Sequence, residues 1–477
     1  MSILPAVRSL AICIGAFLAI TTRGALPTSA AETPPPCAAL ATDPANGIVG
    51  NPAIKSATSA IVPASGSDVA YCQVNLLYGT NASQNINYWN GCSTGGRQGY
   101  LLAQELPDQL DGILANAPAM YWTRFQTAQM WGQIVMKDLV GGPISSAKLA
   151  QAQASAVAAC DAKDGVVDGI IDDPRKCHFS ATANICGAPD APVANCLTEQ
   201  EAEAIDLIWD GPRNSKGEKI WFGLDRGTDF TGPFPGFGLD GSLPFFLGVI
   251  QFQWDEHNLN FDWQTVPETG YPQVAQDGSR NIADVTDTFG PLDEFKEHGG
   301  KMITWVGGND HLIFPRGVIN YYRQMAARFS ESDRPNFKNL QRFYRLFRAP
   351  GVAHCGGGAG PSPVDPFGAL VKWVEHGDAP ETLLAAGGSA APPSGRTRPL
   401  CPYPQTAIYK GTGDINDAAN FRCGGNLETH ATVCADVLVK YKHELNGDLD
   451  FRGTGVSPEL CERFTDDKDD NDNHEPR

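Results

Sequence analysis

The sequence lacks several features that would place it in a simple class. The longest apolar stretch, Leu10 to Ile20, is too short to span a bilayer, and no other segment qualifies. Cationic residues are scarce: 36 Lys and Arg stand against 54 Asp and Glu, for a net charge of −18. Because such a charge repels nucleic acids and anionic membranes, we expect neither as a partner. No two cysteines have the C-x-x-C spacing typical of zinc sites, and no internal repeat is visible.

What is present describes an exported globular protein. The length of 477 residues favours two to three domains. Residues 1–31 are typical of a secretory signal, with Arg8 before an apolar stretch and the small residues Ser29-Ala30-Ala31 before Glu32. Of the 13 cysteines, Cys13 would leave with this signal, and an even number would remain. Disulfides are the default for such a chain, so we expect a secreted or periplasmic protein.

A short glycine-rich stretch organises the rest of the chain. An extended run, Ile86 to Trp89, leads into Gly91-Cys92-Ser93-Thr94-Gly95, and a helix-compatible segment, Gln98 to Leu106, follows. A strand, a tight Gly-x-Ser-x-Gly turn and a helix are the context of a nucleophilic serine, because the turn lifts the hydroxyl clear of the sheet. The pattern alone is loose, and a plain glycine-rich turn is the alternative.

Strands alternating with helices on both sides of a long interruption predict a parallel α/β sheet. The interruption, residues 121–298, is rich in helix-like, Cys, Gly, Pro and aromatic segments, and we expect it to form an inserted lid. Residues 32–120 and 299–423 would form the core, and residues 424–477 a C-terminal extension with an acidic disordered tail. The predicted core elements are strands Val69–Leu77, Gly112–Pro118, Met302–Val306 and Phe343–Phe347, helices Gly317–Phe329 and Pro366–His376, and a linker from Ala385 to Pro399.

Three residues follow three predicted strands in the order that a catalytic triad requires. Ser93, Asp310 and His354 occur as serine, acid and histidine, which is the order found in α/β-hydrolases. Singly, Asp310 could cap the next helix and His354 could be a turn residue, while His311 competes as the base. Cys92 precedes Ser93 and Cys355 follows His354, so a disulfide between them would bring the serine and the histidine together.

These motifs resemble the tannase/feruloyl esterase family of secreted α/β-hydrolases, in which a disulfide joins the residues flanking the serine and the histidine. The resemblance runs from the elbow to about Cys423. It implies that Ser93 is the nucleophile, His354 the base and Asp310 the orienting acid, with the Thr94 N–H as one oxyanion donor. It also implies the disulfides Cys92–Cys355, Cys37–Cys72, Cys160–Cys177, Cys186–Cys196 and Cys401–Cys423, which leaves Cys434 and Cys461.

A second motif, from Cys160 to Ile170, predicts a cation site. The carboxylates of Asp161, Asp164 and Asp168, together with the backbone carbonyls of Val166 and Ile170, can supply oxygen ligands to Ca²⁺. A solvated Asp/Gly turn explains the residues equally well, and the loop lacks the spacing of an EF-hand. The family resemblance favours a structural calcium ion that fixes the lid.

The sequence departs from the family before the elbow. Between Glu32 and Ser93 there is room for about two strands, where the family has a longer segment that includes a glycine-rich oxyanion donor. We therefore expect a core shortened at its N-terminal half, an exposed sheet edge and weak or lost activity.

The expected function is a secreted serine esterase that hydrolyses small aromatic esters of the phenolic, hydroxycinnamate or gallate type. Aromatic residues of the insertion would line the acyl pocket or simply form core: Trp221, Phe222, Phe245, Phe246, Trp254 and Trp263. Two alternatives remain open. One is a catalytically impaired, calcium-stabilised binding protein derived from such an esterase, and the other is a secreted protease.

Overall fold

The computed structural model describes residues 54–62, 71–78, 86–231, 239, 258–278, 290–330, 335–387 and 395–436. The chain divides into two compact units, residues 1–85 and residues 86–477. In the first, β1 (Ile54–Val62) pairs antiparallel with β2 (Tyr71–Tyr78), which covers most of a predicted strand. The signal segment, the partner predicted for Cys72 and the acidic tail lie outside the described residues.

The second unit is built on a four-stranded parallel sheet, as the alternation of strands and helices predicts. Its strands are β3 (Tyr88–Cys92), β4 (Gly112–Asn116), β5 (Lys301–Gly307) and β6 (Tyr344–Ala349), hydrogen-bonded in that order. Within the described part of the chain, β3 has a neighbour on one side only, and its side chains are half-buried or exposed. The strand that carries the elbow is therefore an edge strand of this sheet.

Helices pack around this sheet and fill the interruption between β4 and β5. Those between β3 and β5 are α1 (Thr94–Glu105), α2 (Trp122–Ala128), α3 (Trp131–Val140), α4 (Ser146–Cys160), α5 (Glu199–Asp210), α6 (Tyr271–Gly278) and α7 (Asp293–Glu297). Those that follow β5 are α8 (Pro315–Arg328), α9 (Phe337–Leu340), α10 (Pro366–His376) and α11 (His430–Ala435). Single 3₁₀ turns lie at Asp161–Asp164, Pro174–Lys176, Ala181–Asn184, Trp263–Thr265, Glu268–Gly270 and Ala418–Asn420.

The alternation of side chains along β4, β5 and β6 divides the core in two. Ile113, Met302 and Tyr344 face a large cluster that also contains α1, α8 and most of the buried side chains of residues 121–298. Leu114 and Ile303 face a smaller cluster that includes α10. Residues 121–298 therefore share one hydrophobic core with the sheet. This shared core does not mark separate domains, so the predicted domain boundaries at residues 120 and 298 stay predictions.

Helix α10 begins and ends where local sequence signals predict. Asp365 accepts the N–H of Gly368 at 2.8 Å, proline occupies the first turn, and Gly377 ends the helix with φ of 78°. The frame predicted for this helix is confirmed, because capping and proline placement act within a few residues. The sequence predicts an apolar face made of Phe367, Leu370, Val371 and Val374. Of these only Leu370 is fully buried, together with Trp373.

The predicted linker from Ala385 to Pro399 is wrong at both ends. β8 (Leu383–Ala386) and β9 (Thr397–Leu400) pair antiparallel and form a sheet with β7 (Ser362–Pro363). A further pair joins β10 (Thr406–Tyr409) to β11 (Phe421–Gly424). The Gly/Ser/Pro composition hid the alternation of buried and exposed residues along β8 and β9.

Candidate active site

Ser93 lies in a strained turn between the edge strand β3 and helix α1. Its backbone has φ of 62° and ψ of −121°, a conformation that L-residues rarely adopt. Such a residue typically costs about 1–3 kcal/mol and persists only where its surroundings fix it. Here the Ser93 N–H donates to the carbonyl of Asn116 at 3.0 Å, and the Ser93 carbonyl accepts the N–H groups of Arg97 and Ala119 at 3.0 and 3.1 Å. These bonds hold the elbow against the end of β4.

Two glycines make this close approach possible, and one of them lies outside the pentapeptide. A Cβ on Gly91 would lie 2.5 Å from the carbonyl carbon of Gly95, and a Cβ on Gly96 would lie 2.7 Å from the carbonyl oxygen of Asn116. A Cβ on Gly95 would meet nothing within 4 Å. The elbow therefore requires Gly91 and Gly96, whereas Gly95 has free space around it.

This difference gives a matched pair of variants. We expect Gly96→Ala to destabilise the fold by about 1–3 kcal/mol, because the added methyl group overlaps the backbone of the β4 exit. We expect Gly95→Ala to be neutral or to stabilise by up to ~1 kcal/mol, because alanine favours the first turn of α1. Urea unfolding of both variants measures the difference, and equal destabilisation would contradict the geometry.

Asp310 and His354 meet at the carboxyl ends of β5 and β6. His354 Nδ1 lies 2.8 Å from Asp310 Oδ2, and both side chains are buried. The other carboxylate oxygen of Asp310 accepts the N–H groups of Leu312 and Ile313, each at 2.9 Å. The N-cap position of the following helix, α8, is Phe314, so Asp310 does not cap that helix. Its carboxylate instead favours the histidine tautomer with hydrogen on Nδ1, which leaves Nε2 as a base.

A disulfide between Cys92 and Cys355 joins the serine turn to the histidine loop. The two Cα atoms are 6.1 Å apart although 263 residues separate them in sequence. Cys355 also has a positive φ, 57°, so both Ser93 and Cys355 adopt unusual backbone conformations beside the bridge. The predicted bond is thus confirmed, and with it the proximity of the Ser93 turn to the His354 loop.

Thr94 begins helix α1 and is exposed. As the first helical residue, its N–H is among those with no partner inside the helix, so it points out of the helix N-terminus. An N–H in this position can stabilise an oxyanion.

His311 is buried beside the triad, and burial lowers the pKa of its imidazole below the ordinary value. The carboxylate oxygen Oδ2 of Asp310 contacts His354 at hydrogen-bond distance, which favours His354 as the base. His311 lines a small apolar pocket of about 20 Å³ together with Trp131, Phe222 and Phe314. Ser93 and His354 do not line this pocket.

The aromatic residues suggested for the acyl pocket divide into three groups. Phe222 lines the apolar pocket, while Trp221 and Trp263 are buried elsewhere in the large core cluster. Phe245, Phe246 and Trp254 lie outside the described residues. Sequence reasoning missed Trp131 and Phe314, because a buried aromatic gives no local signal of which cavity it faces.

The predicted cation loop is a compact turn whose acidic side chains interact with one another. Asp161 accepts the N–H groups of Asp168, Gly169 and Ile170 at 2.9–3.3 Å. Burial, and then the nearby charges of Asp172 and Asp168, raise the pKa of Asp164 to about 7. Such crowding of buried carboxylates fits a hard cation in donor type and charge.

Two features of the loop count against a cation at these carboxylates. Arg398 forms an ion pair with Asp168 at 2.5 Å, and Arg396 donates to the Asp168 carbonyl at 2.9 Å. In the part of the chain that the structure describes, no group of three or more His, Cys, Asp or Glu side chains converges as a metal site. Asp172, Arg396 and Arg398 were missed from the sequence because the two arginines are distant along the chain, Arg398 within β9 and Arg396 directly before it.

Three further predicted disulfides are confirmed: Cys160–Cys177, Cys186–Cys196 and Cys401–Cys423. The first closes the ends of the acidic loop. Cys434 is also disulfide-bonded. The cysteine left over to pair with it, Cys461, lies outside the described residues.

None of the described helices is long and apolar enough to span a bilayer.

Comparison with known proteins supports these motifs. The family model for tannase and feruloyl esterase matches residues 64–424. The chain is 34% identical over 359 residues to a probable feruloyl esterase of Arthroderma benhamiae, covering 72% of this chain and 65% of that protein. It is 30% identical over 402 residues to the mono(2-hydroxyethyl) terephthalate hydrolase of Piscinibacter sakaiensis, covering 73% and 65%. The chain thus spans about two thirds or slightly less of the length of these relatives.

Solved structures agree on the fold. An esterase from Aspergillus oryzae matches with a TM-score of 0.61 at 27% identity, over 71% of this chain and 68% of that one. The tannin acyl hydrolase from Aspergillus niger matches with a TM-score of 0.63 at 24% identity, over 75% and 67%, and this match bears on the fold alone. The second unit therefore has a fold of the α/β-hydrolase type.

Proposed function

Because this chain belongs to the tannase and feruloyl esterase family, we propose that it is a serine esterase of small aromatic carboxylic esters. The observation that carries the proposal is the contact between His354 Nδ1 and Asp310 Oδ2 at 2.8 Å, in a loop that a disulfide ties to the Ser93 turn. A buried His–Asp pair close to a serine elbow is the arrangement that can activate a hydroxyl for acyl transfer.

The proposed reaction has two stages. His354 Nε2 takes the proton of the Ser93 hydroxyl as its oxygen attacks the ester carbonyl, and the Thr94 N–H stabilises the oxyanion. His354 then gives that proton to the departing alcohol, which leaves an acyl group on Ser93. A water molecule, deprotonated by His354, releases the aromatic acid and restores the serine. Asp310 keeps the imidazole oriented and stabilises its charged form.

The test is hydrolysis of an ester panel by the full chain. We expect turnover of methyl ferulate, methyl gallate and a terephthalate monoester, slower turnover of matched aliphatic esters, and no cleavage of a peptide panel. The Ser93→Ala variant should lose turnover of every ester. Peptide cleavage that depends on Ser93 would favour the protease alternative instead.

The edge position of β3 supports a second candidate, a binding protein with impaired catalysis. The elbow strand is flanked on one side only within the described residues, and the chain spans slightly less than two thirds of the length of the relative it matches. We propose that the N-terminal half of the core is shortened and that a second oxyanion donor is missing. Loss of one such donor lowers kcat by about 10²–10³-fold.

We therefore expect kcat for methyl ferulate to be about 10²–10³-fold lower than that of a full-length feruloyl esterase measured in parallel, with a similar KM. Steady-state kinetics of the two proteins on the same substrate provide the comparison. A kcat equal to that of the full-length enzyme would refute the shortened core as a cause of impairment. Binding of a ferulate ester without turnover would favour the binding protein.

We further propose that Ca²⁺ binds the loop of Asp161, Asp164 and Asp168 with the carbonyls of Val166 and Ile170. The crowded buried carboxylates support this assignment, because a divalent cation would offset their mutual repulsion. The ion would be structural and would fix the lid formed by residues 121–298.

Removal of calcium should lower the melting temperature. A ligand that binds only the folded state stabilises it by about 2.7 kcal/mol when present at roughly 100 times its Kd. We expect EGTA to lower Tm, calcium to restore it, and Asp164→Asn to weaken the response. Asp190→Asn, an exposed control with the same change of charge, should respond like the wild type. A Tm that is indifferent to calcium would overturn the assignment.

Export is proposed as well. The N-terminal segment is typical of a secretory signal, and the disulfides between described cysteines support an oxidising compartment. Detection of the mature protein in periplasmic or culture fractions, with its N-terminus near Glu32, tests this.

A further inference from the structure

A cleft rich in cationic side chains lies apart from the triad. It has a volume of about 220 Å³ and is bordered by residues 174–178, residues 209–226 and the start of α8. None of Ser93, Asp310 and His354 lines it. Four cationic side chains line the cleft against two carboxylates, in a chain whose net charge is −18: Arg175, Lys219, Arg226 and Arg316 against Asp210 and Asp225.

The two carboxylates of the cleft are already paired, Asp225 with the cleft residue Arg316 and Asp210 with Arg213 outside the cleft. Asp225 lies 2.8 Å from Arg316 Nε, and Asp210 is held by Arg213 at 2.5 Å. Behind the cleft, Glu428 and Asp436 are bound to the buried Arg323 at 2.7 and 2.8 Å. These carboxylates therefore have little capacity left to neutralise a further cation.

Two of the cations lack a close counter-ion. Lys219 is 8% exposed, and its Nζ lies 3.7 Å from Asp210 Oδ1, which is longer than a hydrogen bond. Arg226 donates to the carbonyl of Phe179 at 2.6 Å and lies over the ring of Trp209 at 5.0 Å. Within the described residues, no carboxylate forms an ion pair with its guanidinium.

The electrostatics of Lys219 agree with this picture, whereas Arg175 has a carboxylate partner. Burial, and then the charge of Arg316, lower the pKa of Lys219 to about 8. An ammonium with a strong carboxylate partner would show the opposite direction. The Nε of Arg175 lies 2.9 Å from Asp173 Oδ1, and despite burial the charges of Asp173, Asp436 and Glu428 raise the pKa of its guanidinium. Arg175, also 8% exposed at its side chain, has an Nη1 with no hydrogen-bond partner. The carboxylate nearest to that atom is Glu428, at 3.5 Å.

From this arrangement we propose that the cleft binds a small polyvalent oxyanion, of the class of inorganic phosphate or sulfate. Guanidinium and ammonium groups offer several N–H donors and no acceptor, and oxyanions with two charges match such a set. A bound anion would link segments of the proposed lid to α8, the helix that follows Asp310. Its effect would be to stabilise the packing of residues 121–298 on the sheet.

Titration of the full chain with inorganic phosphate, at constant ionic strength, tests the proposal. Isothermal titration calorimetry should show saturable binding of one phosphate, and Tm should rise with phosphate but not with chloride. Lys219→Gln should weaken phosphate binding by about tenfold or more. Lys216→Gln makes the same change of charge at an exposed position outside the cleft and should bind like the wild type.

The inference is independent of the proposed esterase activity. Ser93→Ala should bind phosphate as the wild type does, whatever its effect on ester turnover. Arg226→Lys keeps the charge and provides a second variant if Lys219→Gln fails to fold; it should weaken binding because its side chain loses the planar donor set. Absence of saturable phosphate binding to the wild type would overturn the proposal, as would equal weakening in Lys216→Gln and Lys219→Gln.

Discussion

Replacement of Asp310 by asparagine is expected to lower kcat/KM for an aromatic ester by about 10⁴-fold with little loss of stability. The amide oxygen of asparagine can still accept the N–H groups of Leu312 and Ile313, which Asp310 Oδ1 accepts at 2.9 Å. The amide nitrogen would then face His354 Nδ1 as a donor. It would force the hydrogen onto Nε2, which is the wrong tautomer for a base.

Kinetics together with urea unfolding measure this prediction. Asp365→Asn is the matched control, because Asp365 also accepts a backbone N–H at 2.8 Å but at the start of α10, and asparagine caps helices as well as aspartate does. The control should keep both activity and stability. If Asp310→Asn remained as active as the wild type, His354 would not depend on Asp310 for its orientation.

Removal of the disulfide between Cys92 and Cys355 is expected to have the largest effect on stability. The bridge closes a loop spanning 263 residues, so a chain-entropy model gives a stabilisation of about 5–6 kcal/mol. The same model gives about 3 kcal/mol for Cys186–Cys196, which spans 10 residues. The double variant Cys92→Ala/Cys355→Ala should therefore unfold more readily than Cys186→Ala/Cys196→Ala.

The two double variants should also differ in activity. Loss of the first bridge frees the Ser93 turn from the His354 loop, so ester turnover should fall even where the protein remains folded. Loss of the second, which lies far from these residues in the chain, should leave turnover per folded molecule unchanged. Equal effects of both pairs on turnover would show that the first bridge does not position the site.

The elements near the site could be predicted from sequence because their signals are local. The strands before Ser93, Asp310 and His354 are short apolar runs that end in turn residues, and each was found to within a few positions. Parallel strands bring their carboxyl ends to one edge of the sheet. The positions of Ser93, Asp310 and His354 after three such strands therefore also predicted that they lie close together. The two flanking cysteines added a long-range contact that sequence rarely provides.

The remaining features depend on contacts between distant segments. The buried charges of Arg323, Glu428 and Asp436 come from α8 and from the segments flanking α11, more than a hundred residues apart, and nothing local pairs them. Gly96 is required because of Asn116, a residue on the next strand. Arg398 reaches Asp168 from β9, in a stretch whose composition suggested a linker. In each case, tertiary packing rather than propensity sets the outcome.

Labelling of the full chain with a fluorophosphonate probe, followed by peptide mapping, tests the central claim most directly. The account predicts a single modified residue, Ser93, in protein whose Cys92–Cys355 bond is intact, and much slower labelling in Asp310→Asn. An unlabelled Ser93 in folded, oxidised protein, or a label on another serine, would contradict it.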